Sequence, residues 1–307
     1  MTMEKEYYSN GKLLITGEYI VLDGANAFAL PTKFGQNLII KQGSNNLIEW
    51  KSFDSDGSVW FEDIISFLEI SNTKKSKKTD SVRNTLIDIL REAYLLNPSF
   101  LNHSEGYSVN TRLTFPRNWG LGTSSTLINN IAQWTKVDAF ELLKNSFGGS
   151  GYDIACAQNN SPILYHLANR KPIVEKVTFA PEFIENLHFV YLDKKQNSKS
   201  AIASYYKNKK TNSEETIAQI NGLTQDVLKA KTFEEFTIAI EKHETEMSAI
   251  LEIETVKKNL FPDFRGSIKS LGAWGGDFVL VLSKENPSDY FKKKGYEVII
   301  PYQEMIL

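Results

Sequence analysis

The chain has 307 residues, 41% hydrophobic and 23% charged, with a formal net charge of −2. That length favours two domains in one compact protein, and the missing basic excess argues against a nucleic-acid partner. The single cysteine, Cys156, excludes an internal disulfide and a cysteine-type zinc site and fits a reducing cytoplasm.

Four histidines, His103, His166, His188 and His243, are scattered without metal-ligand spacing. The opening MTMEKEYYSNGK has no apolar signal core, and no stretch approaches the ~20 apolar residues of a membrane span. The expectation is a cytoplasmic protein with neither nucleic acid nor membrane as a partner.

KLLITGEYIVL is rich in β-branched residues and predicts two strands broken near Gly17; AFALPT, FGQNLIIKQ and NLIEWKSF continue the strand character. SNTKKSKKTD (71–80) predicts a solvated basic loop. Val82, Leu86, Ile89, Leu90 and Ala93 follow helical spacing between Ser81 and Leu96. YSVNTRLTF (107–115) alternates as a strand. Helices are predicted over 124–134 and 138–145, then a glycine break and a short helix in GGSGYDIACAQ.

SPILYHL and HFVYLD predict buried strands, and DKKQNSKSA (193–201) a polar linker. Two long helical patterns, 213–230 and 233–253, precede a second glycine cluster, KSLGAWGGDFVLVLS. The chain ends as helix then strand in SDYFKKKGYEVIIPY. Strands and helices alternate without a strict βαβ rhythm, which predicts an α+β fold.

The stretch PRNWGLGTSSTLINN (116–130) joins a strand to a helix through two glycines and three hydroxyl residues. A helix start offers unpaired N–H groups and the positive end of the dipole, so this junction suits an anion such as phosphate. It lacks the spacing of the usual P-loop and of G-x-G-x-x-G. Serine caps on a plain glycine turn would use the same residues. Two further segments, SNGKLLITGEY and KSLGAWGGD, together with GGSGYDIACA, spread glycine-punctuated sites over the whole chain.

In that order the segments resemble the GHMP kinases, the superfamily of galactokinase, homoserine kinase, mevalonate kinase and phosphomevalonate kinase. SNGKLLITGEYIVLDG resembles its first motif, Pro116–Ser124 its second, and KSLGAWGGD its third; GSGYDIACA is similar to the G-S-G-x-D stretch of mevalonate and phosphomevalonate kinases. Departures are Asn10 for a proline, Tyr19 for a histidine, Thr123 for a serine, and Trp274 where a small residue or glycine is usual.

The resemblance implies an α+β, two-domain fold: a ribosomal-protein-S5-like ATP-binding and catalytic domain over 1–185, and a ferredoxin-like domain over 186–307. It implies transfer of the ATP γ-phosphoryl group to mevalonate or phosphomevalonate. Alternatives are another small acceptor such as a sugar, or a non-catalytic nucleotide-binding relative.

By the same resemblance, Gly120, Leu121, Gly122, Thr123, Ser124 and Ser125 bind the triphosphate, and Ser124 also reaches magnesium. Asp153 is the catalytic carboxylate with Lys12 as its cationic partner. Glu18, Gly272, Gly275 and Gly276 line the acceptor or nucleotide, and Glu141 is the nearby acid available as a second magnesium ligand. Ser198 and Ser200 could contact the acceptor, with surface linker the plainer reading. ATP and Mg2+ are the expected cofactors, and a homodimer is allowed.

Overall fold

A computed structural model describes residues 4–72, 81–194, 205–207, 214–274 and 276–307. The basic loop from residue 73, the linker serines Ser198 and Ser200, and Gly275 lie outside the described residues. Two compact units interleave along the chain. The first comprises residues 1–11, 34–117 and 121–158, and the second 12–33, 118–120 and 159–307.

In the first unit, β2 (Ala27–Gln42), β3 (Leu47–Phe53), β4 (Val59–Ser66) and β5 (Tyr107–Leu113) pair in the order β4-β3-β5-β2. β3 and β5 run parallel, while the β3–β4 and β2–β5 ladders are antiparallel. β1 (Lys5–Thr16) also pairs with β2. Along β5, Val109, Thr111 and Leu113 are buried and alternate with less buried neighbours, the period of a sheet with one covered face.

The covering helices are α2 (Val82–Leu96), α4 (Thr123–Thr135), α5 (Ala139–Ser146) and α6 (Tyr152–Gln158); α1 (Phe67–Ser71) and α3 (Ser99–Asn102) are short. Ser81 caps α2 by accepting the Asn84 N–H, and Asp138 caps α5 by accepting that of Glu141. Leu86, Ile89, Leu90 and Ala93 of α2 pack with Ile128, Ile131, Leu142 and Ile154 in one core. Each buried leucine or isoleucine here contributes about 1.5–3 kcal/mol by leaving water.

In the second unit the first residues of β2, Ala27–Ala29, pair with β6 (Ile163–Ala168), which pairs with β7 (Lys171–Lys176). A separate antiparallel sheet has the order β11-β8-β10-β9, from β8 (Leu187–Tyr191), β9 (Ser267–Ser270), β10 (Phe278–Leu282) and β11 (Ile299–Pro301). Every residue of β8 and β10 is buried, which explains the unbroken apolar run of β10 and the largely apolar one of β8, broken by His188.

Long helices α7 (Glu214–Lys229) and α8 (Phe233–Leu251) precede β9, and α8 opens on a capping box of Thr232 and Glu235. The shorter α9 (Val256–Leu260), α10 (Ser288–Lys293) and α11 (Tyr302–Met305) follow.

One expectation fails for an identifiable reason. The segment after Gly17 is no second strand: Tyr19 takes φ 62 and Ile20–Asp23 form a 3-10 turn whose Ile20 and Val21 are buried. Apolar content alone could not separate a buried turn from a buried strand. AFALPT and FGQNLIIKQ are strand as expected, joined in one continuous strand through Pro31. Strands β4, β7 and β9 were not anticipated; β7 is mostly exposed and β9 has only four residues, so neither carries a clear alternation.

Candidate functional site

In the first unit, the second glycine motif enters α4 with Gly122 as its N-cap at φ 96, a left-handed conformation in which a side chain would be strained. Having no side chain, Gly122 provides no capping bond. Ser124 and Ser125 are the second and third helical residues, so neither is the cap that a plain serine-capped turn would need. The first-turn N–H groups of a thirteen-residue helix are therefore left without a side-chain cap, as an anion site requires.

Leu121 is fully buried and fixes the loop from below, while Thr126 donates its hydroxyl to Gln36 Oε1 at 2.8 Å. Asp153 lies half-buried in the first turn of α6. Glu141 is exposed in the first turn of α5, where its N–H is held by Asp138 at 2.8 Å.

The second unit gathers parts of all three motifs around Gly120. Lys12 Nζ donates to the Gly120 carbonyl at 3.1 Å. Gly120 has φ 68, and a Cβ there would collide with the Asp277 carboxylate. Asp277, itself at φ 50, is held by its backbone: its N–H donates to Lys194 O at 2.8 Å, and its carbonyl accepts from Leu192 at 2.7 Å. Beside Gly120, the Trp119 ring meets Phe278 edge-on at 5.4 Å, and Tyr191 donates its hydroxyl to Asn118 O at 3.0 Å.

Glu18 faces inward in the same unit. Only 1% exposed, it is bonded by the equally buried Lys269, whose ammonium also lies 3.2 Å from Glu244 and donates to Ser270 O at 2.6 Å. Burial pushes the Glu18 carboxyl up to about 7, against the opposing pull of Lys269. Burial alone would lower Lys269, but Glu18 and Glu244 outweigh it and raise the ammonium above its usual range.

His243, fully buried, accepts the Gly17 N–H at Nε2 at 3.1 Å, which places the ring proton of the neutral imidazole on Nδ1. Burial, and then Lys269, hold it well below its usual pKa. Glu244 accepts both the N–H and the hydroxyl of Ser270, the latter at 2.7 Å. Helix α8 thus grips the turn of the first motif and the strand leading into the third.

In that third segment Gly272 has φ 58 and Gly276 is buried. Trp274 points into an apolar cluster with Ile20, Ala25, Ile220 and Met247, and the Lys269 ammonium stands 5.5 Å from its ring centre. The indole is an anchor for the loop.

Sequence reasoning did not single out Lys269, His243, Glu244 or Asp277. A signal existed for His243, because Phe236, Ile240, His243 and Met247 recur at core-facing helical spacing and all are buried. Nothing comparable marks Lys269, which a single sequence presents as an ordinary polar strand residue. Among the described residues no three histidine, cysteine or acidic side chains cluster to hold a metal by themselves, and no helix is long and apolar enough to cross a membrane.

No protein-family model and no curated protein sequence matches the chain. Solved structures do. A mevalonate kinase of Methanococcus jannaschii is 18% identical with a TM-score of 0.67, covering 97% of this chain and 96% of its own. A Streptococcus pneumoniae phosphomevalonate kinase in complex with phosphomevalonate and AMPPNP is 15% identical with a TM-score of 0.68, covering 94% and 95%. A Lactococcus lactis galactokinase complexed with galactose is 12% identical with a TM-score of 0.62, covering 94% and 88%. The chain has the α+β, two-domain fold of the GHMP kinases over nearly its whole length.

Proposed function

We propose that this chain is an ATP-dependent phosphotransferase of the GHMP kinase type, moving a γ-phosphoryl group to a small-molecule acceptor in the cytoplasm. The observation that carries the reading is the N-terminus of α4, which opens on a left-handed glycine with no side-chain cap. In this reading residues 1–185 bind nucleotide and carry the chemistry, and residues 186–307 form the ferredoxin-like domain. Gly120 to Ser125 bind the triphosphate through backbone N–H groups.

The donor set suits magnesium held mainly by the nucleotide: Ser124 offers one hard oxygen and Glu141 is the acid kept for a second. Magnesium takes few protein ligands when phosphates are present, and it would neutralise charge on them. Lys12, fixed on the Gly120 carbonyl, supplies positive charge beside the phosphate loop. Asp153 accepts the acceptor's hydroxyl proton, and Gly272, Gly275 and Gly276 shape the acceptor side. The buried Glu18 acts on that side through Lys269 and Trp274.

Mevalonate or phosphomevalonate is the acceptor we favour, from the likeness of GSGYDIACA and KSLGAWGGD to kinases of those compounds. A sugar acceptor is the second reading, supported by the galactokinase of the same fold. ADP release in the presence of mevalonate, phosphomevalonate and galactose tests both. One acceptor should stimulate release, and if it is an alcohol Asp153→Asn should cut turnover by at least ~10²-fold, the scale of a positioned base. With phosphomevalonate, already anionic, Lys12→Met should be the more damaging change. No stimulation by any acceptor, or near-normal rates in both variants, would overturn the proposal.

A further inference from the structure

Lys269 is an ammonium with no exposure, held between two carboxylates, and among the described residues it is the only buried lysine. Burying such a charge is costly unless geometry is exacting, and replacing buried ion clusters with apolar residues is often neutral or stabilising. A buried cluster is therefore weak evidence of a stabilising role, and its contacts indicate what else it does.

They join three pieces of chain. Lys269 binds Glu18 in the turn after β1, and the neighbouring Gly17 N–H is held by His243. It shares Glu244 with Ser270, the last residue of β9. Its ammonium also faces the Trp274 ring at 5.5 Å, an attraction that strengthens away from water.

From Trp274 the chain reaches Asp277 in three residues, and the Asp277 carboxylate packs against the Cα of Gly120. The next residue, Phe278, carries its ring onto Trp119. Tyr19 adds a fourth tie, because it packs against the apolar cluster that holds Trp274. These contacts link Lys269 to Trp274, and Asp277 to residues 118–120, where the phosphate loop begins; Gly275 between them lies outside the described residues.

We propose that Lys269 is a positioning residue: through Trp274 and Asp277 it fixes the third glycine segment against Trp119–Gly120 and so sets the shape of the phosphate loop. It also explains the tryptophan in a segment otherwise built of small residues. A glycine-rich loop has many conformations to lose, and an indole buried in an apolar cluster beside a fixed cation selects one of them. Trp274 is 6% exposed and its Nε1 has no hydrogen-bond partner among the described residues, so apolar packing and the cation hold it.

The inference rests on the phosphate-loop reading for its purpose, but its geometry can be tested without nucleotide. The chain has 5 tryptophans: Trp119 and Trp274 at the two ends of the path, and Trp50, Trp60 and Trp134 in the first unit. Fluorine NMR of the full chain labelled with 5-fluorotryptophan, assigned by single Trp→Phe changes, reads both sets at once. In Lys269→Met the Trp274 and Trp119 resonances should shift or broaden while the other three stay in place, and Lys269→Arg should restore most of the wild-type positions.

Should Lys269→Met not fold, Trp274→Leu, which leaves the ion cluster intact, should still displace the Trp119 resonance. A Trp119 resonance unmoved in the folded variants, or one moving only together with all the others, would overturn the inference. A parallel titration with MgADP separates it from the functional reading. Binding weakened ~10-fold in Lys269→Met supports both, whereas no MgADP binding by the wild type would refute the phosphate loop and leave the resonance test standing.

Discussion

The two units solve the same problem, polar groups in an apolar interior, by opposite means. In the first, Ser9, Gln36, Thr126, Asn129, Asn130 and Gln158 form a neutral network. Ser9 donates to Asn130 Oδ1 at 2.7 Å, Asn129 Nδ2 donates to Ser9 at 2.8 Å, and Asn130 Nδ2 donates to Gln36 O at 2.8 Å. In the second, Glu18, Lys269 and Glu244 put two carboxylates and one ammonium beside a neutral histidine. Neutral networks fix the positions of strands and helices and are indifferent to pH. A charged cluster couples to protons, and losing one member leaves an unbalanced charge.

The sharpest way to break the comparison is to remove the cation. Above about pH 7, where Glu18 is ionised, Lys269→Met leaves two buried carboxylates uncompensated and should cost about 3–5 kcal/mol of stability in denaturant unfolding. A loss near that of a neutral polar deletion would mean that the cluster is not charged.

Proton coupling comes next. Glu18 rises from an ordinary 4.5 to about 7 on folding, so the folded chain holds a proton that the unfolded chain has released between those values. Its contribution is fully present below about 4.5 and is lost as pH rises through about 7. At ~1.4 kcal/mol per unit the swing is on the order of 3–4 kcal/mol. His243 has the opposite sign: its folded pKa is depressed from 6.5, so its contribution is present above 6.5 and is lost on acidification. The two partly cancel between 4.5 and 6.5.

The difference in unfolding free energy between wild type and Glu18→Gln isolates the carboxyl, and it should fall as pH is raised from about 5 to about 8. A difference independent of pH would show that Glu18 titrates normally. The smallest effect belongs to the neutral side. Asn130→Ala removes the acceptor of the Ser9 hydroxyl proton and the side-chain donor to the Gln36 carbonyl and should cost about 1–3 kcal/mol, by the same amount at pH 5 and pH 8. A pH-dependent loss there would erase the contrast.

Much of the local structure around the candidate site was legible because its residues obey local rules. Glycines before a run of hydroxyls mark the start of α4 whatever surrounds it, and the apolar spacing of α2, α7 and α8 survives in a single sequence. Glu18 was singled out from its motif, but its partner was not, because Lys269 lies 251 residues away and pairs with it only through folding. Asp277 was likewise inside a quoted motif, yet only its glycine neighbours were read as functional. Its use depends on packing against Gly120, a contact between distant segments that no spacing rule encodes.

The central claim is that the start of α4 binds phosphate, and Ser124→Glu separates that from a structural use of the same residues. A carboxylate in the first turn of a helix stabilises it by about 0.3–1 kcal/mol through the dipole, but it occupies and repels the place of a phosphate. Calorimetric titration of wild type and Ser124→Glu with MgATP should show binding by the wild type and at least ~100-fold weaker binding by the variant, whose unfolding midpoint is unchanged or raised. Equal affinity in the two proteins, or no binding by the wild type, would contradict the account.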